Sequence, residues 1–449
     1  MNHFKISFVR SLLPAVFFWA ALITFFKGSG EVNEWAIANW NIVYDWGVYK
    51  RGFVGTIFRP LLESGVAGLS SYEIIWFLGV AFFIILVLIV CCIFWRVWVR
   101  FGKNETVILM SLVFMVSPFF TMMSNILAYL DYFLYFFLVL SVIFIIRGKF
   151  WWACVINCLA VFVHEAALVI VYPVSVFLMF FIHSKKGNNP LFLWEYDASC
   201  KVFMIFPIVM AFILLVAQGE YEYEENLRSY MHSEIVSDLK ERGYNYYVNE
   251  KDFIKEEHFN SIADTVTDLV FTSISEYVSD EFLKGFDRIL DLEYWVVIFS
   301  FLFVWLSWGG CFINGTCHKI SLNVFFILSI FAPLLLHFVA FDTERIWIMP
   351  MFCAVVGGWA LIEVEDDVFV SGVWQVLIDI LLLLFLMFYV VLRPFSMTDD
   401  YVDIHYYEYL VFYSPVLALG VWLVVSKYKP ILEDFDAGKK FNGSCSVKK

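Results

Sequence analysis

Charge is what this sequence has least of. Only 16% of its 449 residues are Asp, Glu, Lys or Arg, against about 25% in a soluble domain. So few charges over this length exclude a soluble globular chain and a disordered one. A basic face is missing too: the pI is near 5.1, which argues against nucleic acid as a partner. The nine cysteines lack zinc-type spacing. Cys91 and Cys92 are adjacent, Cys154 and Cys158 are one helical turn apart, and most others lie in apolar runs, so they read as small hydrophobes. What fills the chain is 61% hydrophobic and 20% aromatic residues, with a mean hydropathy of +0.78. Lipid is the solvent that tolerates this, and the expected fold class is an all-α polytopic membrane protein.

Apolar runs long enough to span occur at 7–26, 74–95, 105–123, 126–146, 201–218, 294–313, 320–341, 345–362, 374–392 and 409–426. The run 150–182 is too long for one span and short for two, and His164-Glu165 interrupts it. It reads as a broken hairpin, which brings the expectation to about twelve membrane helices. Lys5 and Arg10 precede the first run and no A-x-A-like site follows it, so it reads as an uncleaved anchor. Basic residues set orientation. Arg96, Arg100, Lys103, Arg147, Lys149, Lys185, Lys186, Lys319 and the lysines from Lys427 onward fall on one side if both termini are cytoplasmic and 150–182 goes out and back. The acidic segment 363–373 is the mild exception. Asn-x-Ser/Thr triplets at Asn104, Asn314 and Asn442 fall on the cytoplasmic side of this layout and carry no meaning.

Four parts follow. Residues 1–218 hold N-terminal membrane helices with a first outer loop at 27–73. Residues 219–293 form an acidic helical extracytoplasmic loop, 294–426 the C-terminal membrane helices, and 427–449 a cytoplasmic tail. The acidic loop carries 19 Asp and Glu against 7 Lys and Arg, a net of −12 of the chain's −13. Its apolar residues recur at three- and four-residue spacing in 225–242 and 260–290, which predicts amphipathic helices capping the membrane mouth. No internal repeat is evident, which weakens an inverted-repeat transporter.

Charges inside a bilayer mark function more often than elsewhere. Asp45 lies in the first outer loop with Tyr49, Lys50, Arg51 and Arg59, and Gly52 and Gly55 allow close backbone approach. Cations there can hold a phosphate while a carboxylate takes a proton; an ordinary interfacial loop with belt aromatics is the plain alternative. Asp131 is expected one to two turns inside the span 126–146, among Tyr129, Tyr132 and Tyr135. His164 and Glu165 occupy the hairpin tip. No second His at helical spacing joins them, so no metal site is indicated. Asp342, Glu344 and Arg345 form a short outer turn after His337; Arg393, Asp399, Asp400, Asp403 and His405 read mostly as solvated. Asp45, Arg51, Asp131, His164, Glu165, Asp342 and Arg345 all map to the outer third of the bundle, which points to one polar cavity open to the outside.

With these features the chain resembles the GT-C-type polytopic glycosyltransferases and the bacterial O-antigen and capsule polysaccharide polymerases. The resemblance rests on about twelve helices, Asp45 in a long first loop, the broken hairpin FVHEAALVIVYP, and D-x-x-R from Asp342 to Arg345. It implies a sugar donor carried on polyprenyl phosphate or diphosphate, a glycan or lipid-linked acceptor, and work on the outer face of a bacterial inner membrane. By this resemblance Asp45 is the catalytic acid/base of the first loop. Three departures stand out: Asp45 is followed by Trp46 rather than a second acid, no outer-loop Arg has Gly eleven residues on, and the large loop is acidic.

In this reading Asp45 is the base, with Asp131 or Glu165 as stand-ins. Lys50, Arg51, Arg59 and Arg345 bind the donor phosphate, His164 orients or protonates it, and Tyr49 and Asp342 support. No cofactor is called for, and a divalent cation is compatible. The rivals are a transporter or flippase of a lipid-linked glycan, a membrane acyltransferase using His164 as base, and a non-enzymatic assembly or immunity protein.

Overall fold

The computed structural model describes residues 2–28, 32, 34–45, 51–64, 69–100, 104–185, 196–217, 221–235, 263–265, 267–268, 271, 319–338, 343–364, 372–391 and 406–436. Tyr49, Lys50, Asp342, the run 294–313, most of 236–293 and the last outer loop lie outside the described residues, as do the side chains of His337 and Glu344.

The described residues are helical and include no strand. In order they form α1 (Asn2–Lys27), α2 (Glu34–Trp40), α3 (Gly52–Glu63), α4 (Ser71–Arg100), α5 (Glu105–Met115), α6 (Pro118–Asn125), α7 (Asp131–Ile146), α8 (Phe150–Val163), α9 (Ala167–Ile170), α10 (Tyr172–Lys185), α11 (Ala198–Ala217) and α12 (Tyr221–Tyr230). After a π-helical turn (Met231–Ile235) come α13 (Lys319–Phe331) with a 3-10 extension (Ala332–Phe338), α14 (Thr343–Val364), α15 (Gly372–Val391) and α16 (Tyr406–Asp436). Among them, five helices are long and apolar enough to cross a membrane: Ser71–Arg100, Glu105–Asn125, Ala167–Lys185, Arg345–Val364 and Val411–Tyr428. Six shorter apolar helices accompany them. The outward faces suit lipid: Ile205, Ile208 and Phe212 on α11 and Phe77, Ile84 and Leu88 on α4 are more than half exposed.

The run 150–182 breaks where its two polar residues stand. Helix α8 ends at Val163, His164 is extended (φ −160°, ψ 132°), and α9 starts at Ala167. The chain then turns back. Phe150, at the start of α8, contacts His183, near the end of α10, with ring centroids 6.0 Å apart. Between these ends, Ser141 on α7 bonds Ser175 on α10 at 2.8 Å and accepts from Asn157 Nδ2 on α8 at 2.8 Å. Such polar contacts hold helices together where lipid offers no hydrophobic drive.

Arg96 and Lys185 stand at one end of the bundle. The carboxyl ends of α4, α10 and α14 meet there. Arg96 Nε donates to Glu363 Oε1 at 2.8 Å, and Lys185 Nζ donates to the Val364 carbonyl at 2.8 Å. Glu363, from the segment that departed from the charge rule, is therefore paired with a cation of that end.

Two placements differ from the sequence reading. Asp131 is the first residue of α7, not one to two turns inside it. Residues 126–130 make a buried turn instead, with Ala128 at φ 68° and its carbonyl accepting from Trp40 Nε1 at 2.6 Å. The tight approach of Gly79 to Leu127 and Ala128 lets α4 cover that turn. Lys427 is not in a solvated tail, because α16 continues to Asp436 and buries most of the Lys427 side chain.

The described part of the acidic loop packs as helices. Leu227 and Met231 are buried, as are Ala263 and Thr267 of a second helical piece. Arg228 joins the two pieces by bonds to Glu224, Asp264 and Asp268 at 2.6–2.9 Å, and His232 Nε2 lies 2.9 Å from Asp264. Partial burial pushes the Asp264 carboxyl up, but the hydrogen bonds from His232 and Arg228 outweigh it and hold it below the usual carboxylate range. A depressed folded value gives stability that is present above the unfolded value, about pH 4, and is lost as pH falls through the folded one. Hydrogen exchange should therefore show 221–235 protected at pH 6 and opening below about pH 4. Asp264→Asn should open the same segment at pH 6; protection that is equal at both pH values would contradict the assignment.

Candidate functional site

The site is built from the ends of short helices. At 1.5 Å per residue, the 16 residues of α7 rise about 24 Å and the 14 of α8 about 21 Å. Both fall short of the roughly 30 Å hydrocarbon core. Asp131 and Glu165 stand where these two short helices end. Irregular backbone among apolar helices requires protein cover, and α2 and α3 supply it.

The close seat of α3 is a glycine effect. A Cβ at Gly55 would overlap the carbonyls of Ile42 and Trp40, and one at Gly52 would overlap the Tyr44 ring. Thr56 closes the junction: its Oγ1 accepts from the Tyr44 N–H at 2.8 Å and donates to the Gly52 carbonyl at 2.7 Å. Just before α3, Arg51 has left-handed backbone (φ 69°), a conformation costly outside glycine.

From that position Arg51 reaches the hairpin tip. Its Nη2 donates to Glu165 Oε1 at 2.5 Å and its Nε to Oε2 at 3.3 Å, a two-point fork. His164 Nδ1 accepts from the Ala166 N–H at 3.1 Å, so in the neutral ring the proton is on Nε2. Glu165 Oε2 lies 3.4 Å from the same Nδ1. Protonating His164 would turn that approach into an ion pair at the cost of the Ala166 bond.

A second pair joins the starts of α7 and α14. Arg345 Nε lies 3.3 Å from Asp131 Oδ2, and its guanidinium covers the Tyr129 ring at 5.0 Å. Asp131 sits at the start of α7, where the helix dipole favours negative charge. Arg345 is in the first turn of α14. Helix α9, directly after Glu165, packs against both α7 and α14, and Cys353 Sγ on α14 donates to the Ile170 carbonyl at 3.6 Å.

The structure thus joins Arg51 to Glu165 and His164, and Asp131 to Arg345. It does not bring Asp45 to Arg51. Asp45 is exposed and accepts from Arg59 Nη1, while Arg59 Nε donates to Glu63 at 2.5 Å. These hydrogen bonds, Glu63's first, hold the Arg59 guanidinium more firmly protonated than usual. Arg59 is about 12 Å of helix rise from Arg51. Among the described residues no three His, Cys, Asp or Glu side chains stand together as a metal site.

One buried group was missed in the sequence. Asp379, mid-way along α15, is 1% exposed. Its Oδ2 accepts from Lys427 Nζ at 2.5 Å and from the Tyr428 hydroxyl at 2.6 Å. Lys427 Nζ also donates to Thr106 at 2.8 Å and to Asn104 at 3.5 Å. An acid inside the apolar run 374–392 was the signal available.

No protein-family model, curated protein or solved structure matches this chain.

Removing one member of a buried pair leaves the other charge uncompensated, at a cost of about 3–5 kcal/mol, whereas replacing both with apolar residues is often neutral. Arg345→Met should therefore lower the thermal unfolding midpoint of the purified protein more than the Asp131→Leu/Arg345→Met double variant does. Additive losses in this cycle would show the two side chains to be uncoupled.

Proposed function

We propose that this chain is a membrane glycosyltransferase. It works on the outer face of a bacterial inner membrane, with both termini cytoplasmic. Its donor is a sugar on polyprenyl phosphate or diphosphate, and its product enters a surface polysaccharide such as O-antigen or capsule, by single transfer or by polymerisation. The observation that carries this reading is the Arg51–Glu165 fork beside His164 at the tip of the broken hairpin, at the end of the bundle opposite Arg96 and Lys185. The resemblance to GT-C-type transferases and polymerases supplies the substrate class.

The chemistry asks little beyond those groups. An acceptor hydroxyl oxygen attacks the anomeric carbon, the bond from that carbon to the phosphate oxygen breaks, and the electron pair leaves with the phosphate. A carboxylate must take the hydroxyl proton and cations must meet the leaving oxygens. Glu165 has the placement for the first task and Arg51 for the second. His164 Nε2–H suits a bond to a phosphate oxygen. Arg345 and Asp131 offer a second cation and acid. Asp45, bonded to Arg59 two turns along α3, is the less suited base.

The buried Asp379–Lys427 pair supports a second reading, transport of a lipid-linked glycan, because a carrier needs charged groups away from the outer face as well. Detergent-solubilised protein separates the two. A transferase should elongate an acceptor from a lipid-linked donor without any membrane, and a flippase has no product there. With the transferase reading, Glu165→Gln and Arg51→Ala should each lower product by about 10²-fold or more, while Asp45→Asn keeps most of it. Full activity of Glu165→Gln, with loss in Asp45→Asn, would return the base to Asp45.

A further inference from the structure

We propose that the Arg51–Glu165 ion pair is a latch which the donor's phosphate opens, so that binding the leaving group is what releases the base. This rests on the transferase reading and adds to it the order of events at the site. Three features of the pair point this way. First, the contact is a two-point fork, both carboxylate oxygens meeting two guanidinium nitrogens at 2.5 and 3.3 Å. A phosphate presents the same pair of oxygens to the same fork, with more charge. Second, the pair is reachable: Glu165 keeps 32% and Arg51 14% of its side-chain surface. The Asp131 carboxylate, by contrast, keeps 2%. Third, neutral His164 does not hold Glu165: its Nδ1, 3.4 Å from Oε2, already accepts from the Ala166 N–H, so Arg51 is the cation that the carboxylate trades away.

The exchange has a chemical consequence. A carboxylate tied to a guanidinium is a weak proton acceptor, and one that has lost its cation is a stronger one. When a donor phosphate takes Arg51, Glu165 is freed to accept the proton of the acceptor hydroxyl. The acceptor oxygen bonds to the anomeric carbon, and the phosphate leaves on Arg51 with the bonding pair. Once the phosphate has departed and Glu165 has passed that proton to solvent, the carboxylate closes on Arg51 again. Without donor, the base stays locked, which discourages hydrolysis of whatever else enters. The left-handed backbone of Arg51 fixes where its side chain starts, so the same guanidinium can serve two partners without moving the helix.

The test is binding, measured on the full-length protein in lipid nanodiscs. One arm titrates undecaprenyl diphosphate in the disc and the other inorganic pyrophosphate in solution, which separates a lipid-borne headgroup from a free anion. Removing the competing carboxylate should help the anion: Glu165→Gln and Glu165→Ala should bind about tenfold more tightly than wild type, a factor typical of one charged hydrogen-bonded partner. Arg51→Ala should bind at least tenfold more weakly, with Arg51→Lys between. Tightening in the lipid arm alone places the determinant in the membrane-bound donor, and tightening in both places it in the diphosphate itself; either supports the latch. Equal or weaker binding by folded Glu165→Gln and Glu165→Ala overturns it, even in a protein that transfers sugar. Tighter binding with no sugar transfer by wild type in detergent would leave the latch standing and overturn the transferase reading instead. Thermal unfolding midpoints of the four variants identify any that fail to fold.

Discussion

A carboxylate that enters a bilayer must bring its own cation, and in this chain that requirement decides which segments are neighbours. Hydrophobic side chains cannot do so, since in lipid they gain nothing by choosing one helix over another. Glu165 takes Arg51 from 114 residues earlier, Asp131 takes Arg345, and Asp379 takes Lys427 from 48 residues later. Each pair crosses between elements distant in the chain. Desolvation leaves such pairs little net stability. Their service is selective, because every alternative packing that separates the partners leaves a charge in hydrocarbon.

The same demand applies to the backbone and explains where the helices stop. The turns at 126–130 and 164–166 leave peptide groups outside any helix, and both are buried by other parts of the protein. Trp40 bonds the Ala128 carbonyl and Tyr132 bonds the Met123 carbonyl at 2.5 Å. Helix α3 covers the hairpin from above through Arg51. Helices α2 and α3 are thus packed into the bundle. Short helices end beneath them, with acids and cations at the joint.

Much of this was legible in order of how local the cause is. His164 and Glu165 stand together in a run of awkward length, so the break showed directly. Gly52 and Gly55 announced a close approach, which Tyr44, Ile42 and Trp40 complete. Arg96 and Lys185 meet at one end because each flanks the end of a run. Pairing was not legible, because nothing in the spacing of Asp131 and Arg345 or of Arg51 and Glu165 records that they meet. The start of α7 was misjudged for the same reason: residues 126–130 are as apolar as a helix, and the Trp40 bond that holds them in a turn comes from far away. Asp379 was passed over because the run around it is otherwise uniformly apolar, and Lys427 looked like a tail residue while α16 in fact carries it inward.

The two kinds of charge pair differ in how far their bonding is complete, and this separates framework from chemistry. Lys427 spends its ammonium on Asp379, Thr106 and Asn104, and Tyr428 fills a further place on the carboxylate. Asp379 Oδ1 alone lacks a hydrogen-bond partner among the described residues, and the adjacent ammonium would repel any cation brought to it. That cluster is suited to holding α5, α15 and α16 together. Glu165 and Arg51 stand in the opposite condition, partly open, forked, and each exchangeable for a partner of like charge. A substrate can enter only where existing bonds can be traded for its own. On that criterion the Arg51–Glu165 pair is open to exchange and the Asp379–Lys427 pair is a staple.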